Sequence, residues 1–351
     1  MRFNFNEDHL MFQETVRGFL DKECTAEQVR ALWDTDTGRS TERWAKLAEL
    51  GLLGILVPEE HGGLGMTEVE LVLLLEETGR AALPEPVVET AAVCAPLLRD
   101  AGAAELADRW LPKIATGEAT LTFSHQLNAA VTDAHVADLV LVQHGQELHA
   151  VPSSAIKLEP QPCNDLSRRL FSLDWLPGDD TVRIASGTDG AALIGAAFDR
   201  AALGVAAQQV GIAQRLVELA VEYARERHQF GKPIGSYQAI KHMLANVQVA
   251  IEFARPLLYR AAFSVAAGAP SSSIDVSQAK AEASEAAVLA AKTALQVHGA
   301  IGYTWEVDLH LWMKRAWALE AAWGNRLWHR RRIAEAILDR PKAPSFGFTA
   351  R

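Results

Sequence analysis

Residues Arg225–Ala245 read RERHQFGKPIGSYQAIKHMLA, a stretch helical at both ends and not in the middle. A helix arriving from the N-terminal side ends in Arg225, Arg227 and Lys232, grouped around Phe230-Gly231. Pro233 and Gly235 then turn the chain, and a new helix begins near Tyr237-Gln238. Cations, an aromatic ring and turn amides at one helix–helix corner can hold an anionic, planar ligand. Arg227 would pair with a phosphate, and Phe230 would stack on a ring or wall it off. The same residues also fit an ordinary basic helix C-terminus, stabilised by its dipole, with Phe230 in the core. On composition alone that plainer reading is the simpler one.

Outward from this corner the chain is helical again. Ile212, Leu216, Leu219, Ala220 and Tyr223 make one apolar stripe, and Ile240, Met243, Leu244, Val247 and Ile251 make a second. Residues 275–297 are rich in alanine, which lets a neighbouring helix pack closely. Four long apolar-faced helices within 191–337 predict an antiparallel bundle. Residues 1–118 are helical as well. Val16, Phe19 and Leu20 share a face with Phe12, and Asn6 caps that helix with Glu7 and Asp8 in its first turn. The loop LGLLGILVPEEHGGLG (Leu50–Gly65) follows, and Thr67-Glu68-Val69-Glu70 is a capping box opening a helix to about Arg80. Between the helical regions, ADLVLVQHGQELHAVP (Ala137–Pro152) gives two strands about His144-Gly145, and DDTVRIAS (Asp179–Ser186) gives another. The expected organisation is mainly α with a small middle β domain: a helical domain over 1–118, the β domain over 119–190, and a helical bundle over 191–351.

Bulk properties remove several function classes. The 351 residues, 49% hydrophobic and 22% charged, are those of a globular protein. A net charge of −10 argues against a general nucleic-acid binder. No apolar run reads as a membrane span, and the acids in MRFNFNEDHLMF are unlike a signal peptide. Cys24, Cys94 and Cys163 are odd in number and far apart, fitting neither a disulfide framework nor a zinc site, and no metal is expected. A reduced, cytoplasmic setting is the simplest expectation.

A second stretch, QVHGAIGYTWE (Gln296–Glu306), follows the alanine-rich helix. Glycines there let backbone approach a ligand, and Gln296 offers a donor and an acceptor; taken alone, Gly299 is also an ordinary helix cap. The two stretches in this order resemble the acyl-CoA dehydrogenase family, which carries Arg-x-x-Phe-Gly-Lys-x-Ile-x-x-x-Gln and then Gln-x-x-Gly-Gly-x-Gly-Tyr. This chain has Arg227, Phe230, Gly231, Lys232, Ile234 and Gln238, then Gln296, Gly299, Gly302 and Tyr303, with Ala300 in place of the second glycine. The loop at Leu50–Gly65 and the three-part order are similar to the family as well. The resemblance implies a homo- or hetero-tetramer with FAD bound across a subunit interface. Arg227, Phe230 and Gln238 would contact its adenosine diphosphate end, with Gln296 and Gly299 helping from the neighbouring subunit. It further implies an acyl-CoA substrate oxidised between Cα and Cβ, and an electron-transfer flavoprotein as acceptor. That chemistry needs a carboxylate to take the Cα proton, a flavin to accept the hydride, and hydrogen bonds to the thioester carbonyl.

The pattern breaks at the residues that react. In WALEAAWGNRLWHRR (Trp317–Arg331), aligning Lys314-Arg315-Ala316 with the family's Arg-Asp-Ala places Trp323 at the usual base, Gly324 at its glycine and Asn325 at its threonine. The alternative base position used by a minority of the family corresponds to Ala201. In the β domain, LTFSHQLNAAVTD (Leu121–Asp133) replaces a Thr-Glu-Pro…Gly-Ser-Asp segment that contacts flavin, leaving Ser124 or Thr122 to supply a hydroxyl. Three readings follow. One is an active dehydrogenase with a relocated base, for which Glu320, Asp199 and His125 are the candidates. Against these stand plainer roles: a salt bridge to a nearby arginine for Glu320, a helix cap for Asp199, and a structural or exposed ring for His125. The second is a non-catalytic partner that shares FAD with a catalytic acyl-CoA dehydrogenase subunit acting on steroid side chains or other bulky acyl groups, with Trp323 filling the acyl space. The third is a scaffold without redox chemistry. The basic run NRLWHRRR reads as a solvated helix face or as a contact for coenzyme A phosphates.

Overall fold

The computed structural model describes residues 5–178 and 181–338. Helix α1 (Glu7–Glu23) starts where the Asn6 carboxamide oxygen accepts from the His9 amide at 2.8 Å. After α2 (Ala26–Ala31) and α3 (Thr41–Glu49) comes the glycine-rich loop. A Cβ on Gly63 would lie 2.1 Å from the Val57 carbonyl oxygen, so the loop closes only with glycine there. Helix α4 (Glu68–Arg80) opens on the expected capping box, Glu70 accepting from the Thr67 amide at 2.8 Å. A π-helical stretch, Val88–Cys94, leads into α5 (Ala95–Asp100), and α6 (Ala104–Ala115) completes the N-terminal helices.

Two small sheets follow. The first runs β1 (Leu121–Ser124), β3 (Leu139–His144), β4 (Glu147–Pro152), β7 (Val182–Ala185) in that spatial order, with β1 and β3 parallel. The hairpin expected about His144-Gly145 is the β3–β4 pair, His144 facing Glu147. The second sheet is β2 (Val131–Thr132), β6 (Leu170–Asp174), β5 (Lys157–Gln161). Its strands are short, and β5 and β6 contain no fully buried residue, so they lack the alternation that would have announced them.

The bundle begins at Gly187, four residues before the expected Ala191. Helix α7 (Gly187–Glu226) is joined by α8 (Gln238–Ala266), α9 (Ser272–His298) and a fourth rod broken into α10 (Leu309–Ala321) and α11 (Arg326–Leu338). Helix α7 corrects one sequence expectation, because its length and a window of mean hydropathy 1.4 would suffice to cross a membrane. Two thirds of that window (67%) is buried by the other elements, which makes α7 the central core helix. It meets α4 backbone to backbone: a Cβ on Gly211 would lie 1.9 Å from the Glu76 carbonyl oxygen, and one on Gly79 would lie 2.1 Å from that of Gln208. The alanines of α9, among them Ala279, Ala283, Ala287 and Ala291, are buried as the close packing requires.

Candidate functional site

At the corner, α7 ends on Arg227, whose amide donates to the Tyr223 carbonyl at 2.9 Å. Two-residue strands β8 (His228–Gln229) and β9 (Lys232–Pro233) then pair around Phe230 and Gly231. Both tip residues have positive φ, 54° and 80°, the signature of a tight hairpin turn. That turn throws the Phe230 ring outward, 93% exposed, which overturns the reading that buries it in the core. Tyr237 braces the hairpin: its hydroxyl donates to the Gln229 carbonyl at 3.1 Å, and the Lys232 ammonium lies 4.3 Å from its ring centre.

The second motif meets the first within one chain. A cleft of about 460 Å³ is lined by Tyr223, Arg227, Gln229 and Ile234 on one side and by Val297, His298, Ala300 and Ile301 on the other. Gly299, at φ 66°, ends α9 beside the cleft; Gln296, one turn earlier, and Gln238, opening α8, are both exposed and outside its lining. Ser124, at the end of β1, is partly exposed, and its hydroxyl has no protein partner among the described residues. Thr122 is unavailable, since its hydroxyl donates to the Thr132 carbonyl at 2.8 Å in the interior.

The break at Trp323-Gly324-Asn325 is a built turn. Trp323 is 4% exposed and has φ 55°, rare for a bulky residue. Its amide donates to the Asn128 side chain at 3.1 Å, and its carbonyl accepts from His329 Nε2 at 2.9 Å. The other His329 nitrogen, Nδ1, meets the Ser277 hydroxyl at 3.1 Å; burial pushes this imidazole down to about 3, so it stays neutral. Below the turn lies Lys280, wholly buried, a cation hidden among alanines. Its Nζ shares three hydrogens among four acceptors, the carbonyls of Leu319 (3.0 Å), Glu320 (3.2 Å) and Gly324 (3.2 Å) and the Ser284 hydroxyl (3.1 Å). These are the loose carbonyls at the end of α10, which a cation is suited to satisfy. Burial pulls this lysine down to about 7, with the Glu320 charge opposing.

The Trp323 ring lies on Phe123 of β1, ring centres 6.0 Å apart and planes 9° from parallel, with Phe198 edge-on at 6.1 Å and His125 at 6.0 Å. Trp328 adds to this cluster through Phe198 at 5.1 Å, whereas Trp317 is half-exposed and apart from it. The family resemblance would put a flavin ring and an acyl chain between the Trp323 loop and this β segment. Two stacked layers need a gap of roughly 7 Å or more at carbon contact distances. The loop and the segment instead touch.

The carboxylates and the histidine are engaged elsewhere. Glu320 accepts from the Arg326 amide at 3.2 Å, bridging the α10–α11 break through backbone, where a side-chain salt bridge had been expected. It lines a separate cleft of about 340 Å³ with Lys292, Trp317 and Arg326. Asp199 lies in the middle of α7, so it is not the helix cap expected; it pairs with Arg332 at 2.6 Å and accepts from the Ser273 hydroxyl at 2.5 Å. Ala201 is fully buried. His125 Nδ1 accepts from the Leu127 amide at 3.1 Å, and burial pushes the ring down to about 4, so it packs as a neutral aromatic. The basic run is neutralised, with Arg330 on Glu285, Arg331 on Glu335 and Arg332 on Asp199. Asn128 and Lys280 were not anticipated. A polar side chain in a loop and a lysine in an alanine-rich helix give no periodic signal.

Comparison with known proteins identifies the family. The acyl-CoA dehydrogenase N-terminal domain family matches residues 6–118, and the acyl-CoA dehydrogenase C-terminal domain family matches residues 188–338. The acyl-CoA dehydrogenase IpdE2 of Mycolicibacterium smegmatis is 33% identical over 314 residues, 89% of this chain and 93% of that protein. The chain therefore belongs to the acyl-CoA dehydrogenase family, whose members are FAD flavoproteins. Among solved structures, the ChsE4-ChsE5 complex from Mycobacterium tuberculosis superposes with a TM-score of 0.86 at 26% identity, covering 97% of this chain and all (100%) of that one. A variant of the Tcur3481-Tcur3483 steroid ACAD gives a TM-score of 0.86 at 25% identity, covering 95% and 98%.

Proposed function

We propose that this chain is the non-catalytic, FAD-sharing subunit of a heteromeric acyl-CoA dehydrogenase. The observation that carries the reading is Trp323, which stands at the usual base position and packs directly on the β segment that would face flavin. Neither base position has a carboxylate, and the nearest alternatives, Glu320 and Asp199, are bound to Arg326 and Arg332. The Arg227 cleft, by contrast, is open and has the chemistry of a dinucleotide end, with a cation, turn amides and an exposed ring on a rigid tip. The residues present thus suit the adenosine diphosphate half of FAD and leave no room for its ring system beside an acyl chain. When bound, FAD supplies the hydride acceptor. This chain's part is to grip the diphosphate through Arg227 and to complete the interface through Phe230, with Gln238, Gln296 and Gly299 at its rim. The partner subunit contributes the carboxylate, the thioester-carbonyl donors and the pocket for a bulky acyl-CoA. The likeness to the Tcur3481-Tcur3483 steroid ACAD favours a steroid-derived acyl group, and both it and the ChsE4-ChsE5 complex carry two-component names.

The test is to purify the chain alone and together with a co-expressed catalytic subunit, then titrate each anaerobically with a panel of acyl-CoA thioesters. The chain alone is expected to leave any bound flavin oxidised, and the complex to bleach. Bleaching by the chain alone would overturn the proposal in favour of a relocated base. A complex whose flavin content is unchanged by Arg227→Ala would favour a scaffold role.

A further inference from the structure

His298 closes α9 at the edge of the Arg227 cleft and is only 8% exposed. Its Nδ1 lies 2.8 Å from the Ala294 carbonyl oxygen. A carbonyl can only accept, so Nδ1 carries the hydrogen and the tautomer is fixed. The ring is fixed too, stacked on Tyr223 with centres 4.4 Å apart and planes 19° from parallel. Burial lowers its basicity, which favours the uncharged imidazole. Its remaining nitrogen, Nε2, then presents a lone pair, and no protein group among the described residues binds it.

A cleft furnished with Arg227 alone would take any small phosphate. A rigid, neutral acceptor beside that cation asks for something more: a ligand carrying a hydrogen-bond donor next to its negative charge. We infer that His298 Nε2 is a specificity-determining acceptor of this cleft, receiving a hydroxyl or amine hydrogen of a nucleoside diphosphate whose phosphates pair with Arg227. The inference rests on the proposal that the cleft holds the adenosine diphosphate half of FAD.

The test uses the full chain and calorimetric titration with ADP and with inorganic pyrophosphate. His298→Phe keeps a ring to stack on Tyr223 and removes the acceptor. It is expected to weaken ADP about tenfold, the value of one neutral hydrogen bond, and to leave pyrophosphate unchanged. Arg227→Ala is expected to weaken both. Unchanged pyrophosphate binding also reports that the cleft is intact in the Phe variant. ADP binding equal to wild type, or equal losses of ADP and pyrophosphate, would overturn the role of His298 while leaving the cleft assignment standing. Wild-type chain that binds neither ligand would remove the cleft assignment itself. Analogues lacking one donor, 2′-deoxy-ADP, 3′-deoxy-ADP and the diphosphate of purine riboside, identify the group read. One of them should bind wild type only as well as ADP binds the Phe variant, and no loss with any of the three would overturn the inference.

Discussion

Replacing Trp323 by alanine and by glycine separates two energies at one residue. Its ring is buried against Phe123, Phe198 and His125, so truncation to alanine should cost about 3–5 kcal/mol in packing. Both variants lose that packing and both keep the amide bond to Asn128. They differ in backbone. Glycine loses more chain entropy on folding, about 0.5–1 kcal/mol relative to alanine. At φ 55°, however, any residue with a Cβ is strained by about 1–2 kcal/mol, and glycine is not. The difference favours Trp323→Gly over Trp323→Ala by between about zero and 1.5 kcal/mol, the reverse of the usual order. Urea midpoints measure it: with a slope of about 3 kcal/mol per molar, the glycine variant should unfold up to about 0.5 M later. A glycine variant clearly less stable than the alanine one would mean that the turn does not hold Trp323 in the left-handed region. An alanine variant within about 1 kcal/mol of wild type would mean that the ring is not packed as described.

Other outcomes follow from the same geometry. Arg227→Ala should lower the flavin content of the assembled complex, read as the ratio of visible to ultraviolet absorbance after purification, because a charge-assisted phosphate contact is lost. Glu320→Gln should leave turnover of that complex unchanged and cost under about 1 kcal/mol in a melt, since an amide oxygen can still accept from Arg326; lost turnover would restore Glu320 as a base. Glu76 is buried between α4 and α8 near Arg255, and burial raises its carboxyl from 4.5 to about 7. The folded state then binds the extra proton between those values, so this group's contribution to stability falls as pH rises from 4.5 to 7. Glu76→Gln should therefore gain on wild type between pH 5 and pH 8, and midpoints that run parallel across that range would refute the assignment.

The sequence made the helical frame legible wherever a cap or a stripe announced it. Asn6, the Thr67–Glu70 box and the break at Trp323-Gly324-Asn325 all have the structure expected. The same was true of the hairpin at His144-Gly145 but not of β5 and β6, whose part-exposed residues show no buried–exposed alternation. At the site, spacing could place Arg227 and the second glycine motif but not the side of the corner that Phe230 faces. That depends on two consecutive positive φ angles. The fate of Asp199 was hidden because its partners, Ser273 and Arg332, lie on other helices far along the chain, and that of Glu320 because its partner is the backbone amide of Arg326 and not a side chain. Lys280 was invisible for another reason: its four acceptors are three backbone carbonyls and a hydroxyl, and no sequence pattern marks a carbonyl as free.

The crossing of α4 and α7 at Gly79 and Gly211 has a mechanical consequence. Ordinary helix pairs are spaced by side chains, which can change rotamer and let one rod slide or tilt against the other. Here bare main chain rests on main chain, and nothing at the contact can flex. The N-terminal helices and the long rod that ends in Arg227 therefore form a stiff strut. The hairpin carried at the end of α7 is thus tied directly to α4, and any side chain added at Gly79 or Gly211 would force the two helices apart.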